Sequence, residues 1–99
     1  MTYAIKLTER ARGDLKRLYA FMLDRDEEAA ARALDAITQS MELLEEFPFS
    51  CRKAPGENAF LREFLVPFGS SGYIVLFRID NDKTVTIAAV RHQREDDYH

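Results

Sequence analysis

Tyr73-Ile74-Val75-Leu76-Phe77-Arg78-Ile79-Asp80, then Asn81-Asp82, then Lys83-Thr84-Val85-Thr86-Ile87-Ala88-Ala89-Val90: these eighteen residues decide the fold. In the first run Tyr73, Val75, Phe77 and Ile79 alternate with Ile74, Leu76 and Arg78, so an extended chain is apolar on both faces over most of its length. Such a strand belongs in the middle of a sheet, with helices over one side. Asn81-Asp82 suits a two-residue hairpin turn, since both residues tolerate positive φ. Val85, Ile87 and Ala89 then alternate with Thr84, Thr86, Ala88 and Val90 as the last strand. Upstream, Phe60 to Val66 reads as another strand, ending at Pro67, and Phe68-Gly69-Ser70-Ser71-Gly72 as a tight link.

The N-terminal half has a different period. Tyr3, Ile5 and Leu7 alternate with Ala4, Lys6 and Thr8, a short half-buried strand. Ala11, Leu15, Leu18, Tyr19 and Met22 then recur at spacings of three and four, which predicts a helix over 9–23, with Thr8 as its cap. Asp26 caps a second helix over 27–46, whose Glu27 and Glu28 sit well against the helix dipole and which Pro48 stops. A connector this short folds the two helices into a hairpin. Residues 48–59, rich in Pro, Arg, Lys, Gly and Asn, read as loop. The order is β-α-α-β-β-β, an α+β fold with a helical hairpin on a largely antiparallel four-stranded sheet.

Composition bounds the function. The chain has 99 residues, 46% hydrophobic, which predicts a single domain over 1–99 with no room for a deep active-site cavity. The lone Cys51 excludes an internal disulfide, and the N-terminus lacks the apolar core of a secretory signal, so a cytoplasmic protein away from membranes is expected. Net charge is −3, with residues 1–23 carrying five basic and two acidic groups and residues 24–46 two basic and eight acidic. That balance argues against general nucleic-acid binding, which needs a basic excess. The acidic second helix would repel phosphate, so the hairpin is not a DNA-reading helix-turn-helix.

Candidate chemistry concentrates at the C-terminus, Arg91-His92-Gln93-Arg94-Glu95-Asp96-Asp97-Tyr98-His99. His92 has the pKa range of an acid, base or hydrogen-bond anchor. If the strands that carry them are neighbours, Arg62, Arg78 and Arg91 gather on one sheet surface near His92; singly, each reads as a solvated strand residue with its stem packed down. His92, Asp96 and His99 make a weak metal set with no second ligand cluster, and neither metal nor cofactor is expected. Cys51 beside Arg52 and Lys53 has no histidine near it in sequence to make a catalytic pair. Gly69-Ser70-Ser71-Gly72 joins two strands without a helix to receive an anion, and is a turn.

These segments, in this order, resemble the RelE/ParE toxin family. Leu7-Thr8-Glu9-Arg10-Ala11-Arg12-Gly13-Asp14-Leu15 is similar to its strand-into-helix opening, and Leu43-Leu44-Glu45-Glu46-Phe47-Pro48 to the end of its second helix. Leu61-Arg62-Glu63 and Tyr73 to Ile79 resemble its next strands, and Val90-Arg91-His92-Gln93-Arg94-Glu95 the close of the ParE branch. The resemblance implies a toxin held inactive by an antitoxin that folds onto it, with the helical hairpin and the sheet edge as the receiving surface, including Leu15, Leu18, Tyr19 and Met22 where the core does not consume them. In the ParE-like branch the target is DNA gyrase, and Arg91, His92, Arg94 and Tyr98 form the toxic surface. In the RelE-like branch the toxin cuts mRNA on the ribosome, and Arg62, Arg78 and Tyr98 are the catalytic candidates. RNA cleavage must stabilise a highly charged phosphate, and Glu95, Asp96 and Asp97 after Arg94 oppose that, which favours the ParE-like branch. A family member that kept antitoxin binding but lost toxicity is the third possibility.

Overall fold

Both predicted helices begin where a side chain can satisfy their free N–H groups. In the computed structural model, which describes residues 2–56, 60–68 and 71–93, strand β1 (Ala4–Leu7) leads into helix α1 (Glu9–Leu23) through Thr8. The Thr8 hydroxyl oxygen accepts from the Ala11 N–H at 3.1 Å. Helix α2 (Glu27–Glu46) starts on the Asp26 carboxylate, which accepts from the N–H groups of Glu28 and Ala29 at 3.0 and 3.1 Å. A short 3-10 turn, Pro48–Ser50, follows. Neither helix is long and apolar enough to cross a membrane.

Strands β2 (Arg52–Lys53), β3 (Leu61–Phe68), β4 (Ser71–Ile79) and β5 (Thr84–His92) complete a sheet of order β1-β5-β4-β3-β2. Only β1 and β5 run parallel. The two-helix-on-sheet α+β architecture read from the sequence holds, and β4 takes the predicted central place. The sheet has five strands rather than four, because β2 lies in the segment expected to be loop. Its two exposed residues have no apolar alternation to announce a strand. They are held instead by the ion pair of Arg52 Nε with Glu63 Oε1 at 2.6 Å and by the Ala54 N–H donating to the Leu61 carbonyl at 2.9 Å.

Strand β3 also runs through Pro67 to Phe68. Leu61 turns its carbonyl toward β2, so the backbone of every second residue, Pro67 included, faces the same open edge, where a missing N–H costs nothing. The turn after β4 departs from the predicted form as well. No described residue other than glycine has positive φ. The loop closes with the Asp80 N–H on the Thr84 carbonyl at 2.9 Å, while the Asn81 side-chain oxygen accepts from the Lys83 N–H at 2.8 Å. That local bond does the work a left-handed pair would have done.

The helices cover one face of the sheet. Ala11, Leu18, Ala33, Ile37 and Leu44 pack there against Val66, Tyr73, Val75, Phe77, Val85, Ile87 and Val90. The register contains one irregularity that matters for function. Leu76 pairs with Ala89 but Phe77 pairs with Ile87, which leaves Ala88 as an extra residue in β5. Strict alternation would send Val90 to the side opposite Val85 and Ile87. The bulge resets the parity, so Val90 and His92 join Val85 and Ile87 on the helix face and Arg91 turns to the open face.

Helix α1 holds the bulge in place. Strand β1 ends opposite Ile87, and beyond that point β5 has no neighbour on this edge. The Thr8 N–H donates to the Ile87 carbonyl at 3.1 Å, the Thr8 hydroxyl to the Ala88 carbonyl at 2.9 Å, and the Val90 N–H to Asp14 Oδ2 at 3.0 Å. Asp14 is only 4% exposed, and Arg17 Nη2 stands 3.7 Å from its other oxygen. The N-cap Thr8 and the α1 side chain of Asp14 therefore stand in for the missing strand.

Candidate functional site

The end of the molecule where β5 finishes collects most of the candidate residues. Leu15, Leu18 and Tyr19 of α1 face Ala30, Leu34 and Ile37 of α2 across a narrow apolar crease of about 10 Å³, whose floor is Tyr73. The antitoxin-facing candidates divide here. Leu18 is core, Leu15 is half-buried against that core, and Tyr19 is 38% exposed at the crease. Met22 is half-buried and does not line it. Leu34, 41% exposed, belongs to the same mouth. The hairpin as a whole is the receiving surface expected from the resemblance, and Leu34 is the α2 side chain that the four named residues, all on α1, leave out.

Tyr73 connects this crease to the chain end. Its ring is 2% exposed and meets the His92 ring edge-on, with centroids 5.5 Å apart and planes at 84°. On its other side Phe68 lies 6.0 Å away. Burial raises the Tyr73 hydroxyl above its ordinary range, so the phenol stays neutral. Gly72, one residue earlier, permits this packing: a Cβ there would press into the Val66 carbonyl oxygen. The Gly72 carbonyl accepts from the Gln93 N–H at 2.7 Å, which continues the β4–β5 ladder past His92. Arg91 and His92 are thus the last rungs of a strand rather than the start of a tail. Arg94 and Tyr98, the other toxic-surface candidates, lie outside the described residues, as do Asp96 and His99.

The expected gathering of arginines does not occur. Arg62 pairs with Phe77 on the helix face, whereas Arg78 pairs with Thr86, and Arg91 with Ile74, on the open face. Arg78 and Arg91 share a face but stand about 13 Å apart along β4. Arg78 and Arg62, on opposite faces, each have their own partners. Arg78 Nε donates to Asp80 Oδ1 at 2.7 Å, and Thr86 and Arg78 together hold the Asp80 carboxyl below its usual range. Arg62 Nη1 donates to the Cys51 carbonyl at 2.6 Å, with its guanidinium 5.4 Å from the Phe49 ring.

Cys51 is buried, and desolvation pushes its thiol up, against smaller lowering effects from Ser50 and Arg62. The neighbouring Arg52 is committed to Glu63. A thiol in that setting is no nucleophile at neutral pH. Among the described residues, no three His, Cys, Asp or Glu side chains come together as metal ligands.

Comparison with known proteins adds the following. The family described as ParE toxin of type II toxin-antitoxin system, parDE, matches residues 5–97. Toxin RelE3 of Caulobacter vibrioides is 36% identical over 92 residues, covering 93% of this chain and 96% of that protein. The fold is shared with the chromosomal ParDE toxin-antitoxin system from P. aeruginosa, with a TM-score of 0.73 at 20% identity, covering 92% of this chain and 96% of that one. It is shared too with the toxin-antitoxin complex RelBE2 from Mycobacterium tuberculosis, with a TM-score of 0.62 at 23% identity, covering 93% and 99% of the two chains.

Proposed function

The chain belongs to the ParE toxin family of type II toxin-antitoxin systems, and from that premise we propose that it arrests growth by poisoning DNA gyrase until a cognate antitoxin covers the region around Tyr73. One observation carries the reading. The apolar crease between the helices, with Tyr19 and Leu34 exposed at its rim, and the His92 ring near the end of β5 meet on a single side chain, Tyr73. An antitoxin segment laid over Tyr19 and Leu34 stands one side chain, Tyr73, away from the His92 ring, so docking there bears on the helix-face side of the chain end. A disordered segment that folds on docking suits a shallow crease, because it supplies the convex apolar surface the crease lacks. The structural neighbours named above come from toxin-antitoxin pairs, in keeping with that partner.

Gyrase is preferred over the ribosome on the geometry of the arginines. A ribonuclease must surround a developing phosphate charge with cations. Arg62 and Arg78 point to opposite faces here, and Arg78 is neutralised by Asp80. Ribosome-dependent mRNA cleavage stays as the second reading because the curated relative carries the name RelE3. A non-toxic binding module is the third, and growth on expression without antitoxin separates it from both.

The antitoxin arm has a direct test. Leu34→Lys puts a charge at the exposed mouth of the crease without touching the core, and should weaken antitoxin binding at least tenfold at unchanged Tm, as the loss of an apolar anchor does. Isothermal titration of the purified pair measures it. Unchanged affinity would place the antitoxin elsewhere.

A further inference from the structure

The opposite end of the helix face, some 20 Å from Tyr73 along β4, holds an open hollow of about 340 Å³. Tyr3, Phe49, Phe60 and Ile79 form its apolar walls, and Arg62 and Asp82 its charged ones. We infer that this hollow docks an acidic-apolar segment of a partner protein, with an apolar side chain among the rings and a carboxylate on the Arg62 guanidinium.

Two independent observations point to that chemistry. The first is the state of Arg62. It is half-buried, and among the described residues no carboxylate pairs with it, whereas Arg52 has Glu63 and Arg78 has Asp80. Its hydrogen bond to the Cys51 carbonyl uses one of five donors. A guanidinium fixed on an aromatic ring, with donors to spare and water partly removed, is arranged for a carboxylate. The second is the exposure of the walls. Phe49 is 61% and Phe60 81% exposed, and large aromatics left open side by side mark an interaction surface. The volume accommodates one or two side chains, at the small end of the range for ligand sites.

Aromatic rings with an arginine also suit a single-stranded nucleic acid. The charge around the hollow disfavours it. Asp82 is in the wall, and the acidic end of α2 adjoins it, since the Tyr3 N–H donates to the Glu45 carbonyl. One guanidinium matches one carboxylate, whereas a run of phosphates would also have to lie against Asp82 and the acidic end of α2. The inference does not depend on which target the toxin strikes, and the two sites are far enough apart for simultaneous occupation.

The test is an amide-shift titration of the full ¹⁵N-labelled chain with three probes: the blocked peptide Gly-Glu-Leu-Phe-Glu-Gly, its counterpart with Lys in place of both Glu residues, and hexathymidylate. The acidic peptide is expected to shift Phe49, Phe60, Arg62 and Ile79 and to bind about tenfold tighter than the basic one. Phe60→Ala, at a side chain 81% exposed, and Arg62→Gln should each weaken it about tenfold. Equal binding of the two peptides, preference for hexathymidylate, shifts confined to the Tyr73 end, no saturable shift at all, or indifference to Phe60→Ala would each overturn the inference.

Discussion

Arg91→Glu should abolish growth arrest, returning colony formation on induction to the uninduced level, while the purified variant keeps its Tm and its antitoxin. Arg91 lies on the open face opposite Ile74, away from the helices and the crease. Reversing its charge there removes a cation from the proposed toxic surface without disturbing Tyr73. A substitution is sharper than removing everything from Arg91 onward. Arg91 and His92 are ladder partners of Ile74 and Tyr73, so that deletion would cut two rungs from the sheet and confound toxicity with folding. Deleting residues 94–99 instead leaves the described sheet whole and tests Arg94 and Tyr98 together. Arrest undiminished by both variants would mean that the toxic surface lies elsewhere.

Asp14→Ala should cost about 1–3 kcal/mol of stability, the penalty for leaving a buried N–H without its acceptor. Val90 donates to Asp14 in a dry site, and no backbone carbonyl of β1 reaches that far to replace the carboxylate. For a chain of this length each kcal/mol lowers the Tm by about 4–8 °C. The loss should be local before it is global, with the Val90 amide exchanging faster than those of Val75 and Phe77. Asp14→Asn retains a side-chain oxygen that can accept from Val90, and should recover much of the stability. Because the same bond pins the bulge that sends Arg91 and His92 to their separate faces, Asp14→Ala should also blunt toxicity. Denaturant melts and amide exchange measure the first effect, and equal stability of the Ala variant and the wild type would refute the role assigned to Asp14.

The helices were legible because their signals are local: Thr8 and Asp26 as caps, Pro48 as a stop, and spacings of three and four between. The central strand was legible because apolar residues on both faces leave it no other place. What escaped depends on contacts distant in sequence. Nothing in Arg52-Lys53 announces a strand until Glu63 stands across from it. Nor does the small-residue pair Ala88-Ala89 show which way the chain will turn. The bulge between them is fixed by Thr8 and Asp14, more than seventy residues away. That one residue of slip decides the faces of Arg91 and His92. It is also why Tyr73, read from the sequence as an ordinary strand residue, stands at the junction of crease and chain end. The arginines of β3 and β4 were separated by register, which pairs Arg62 with Phe77 rather than with Arg78.

The most direct test of the account is a supercoiling assay with purified gyrase and this protein, run beside a ribosome-programmed mRNA cleavage assay and repeated after adding antitoxin. The account predicts inhibited supercoiling or trapped cleaved DNA, intact mRNA, and full relief by antitoxin. Cut mRNA with gyrase unaffected would contradict it and move the chain to the ribonuclease reading.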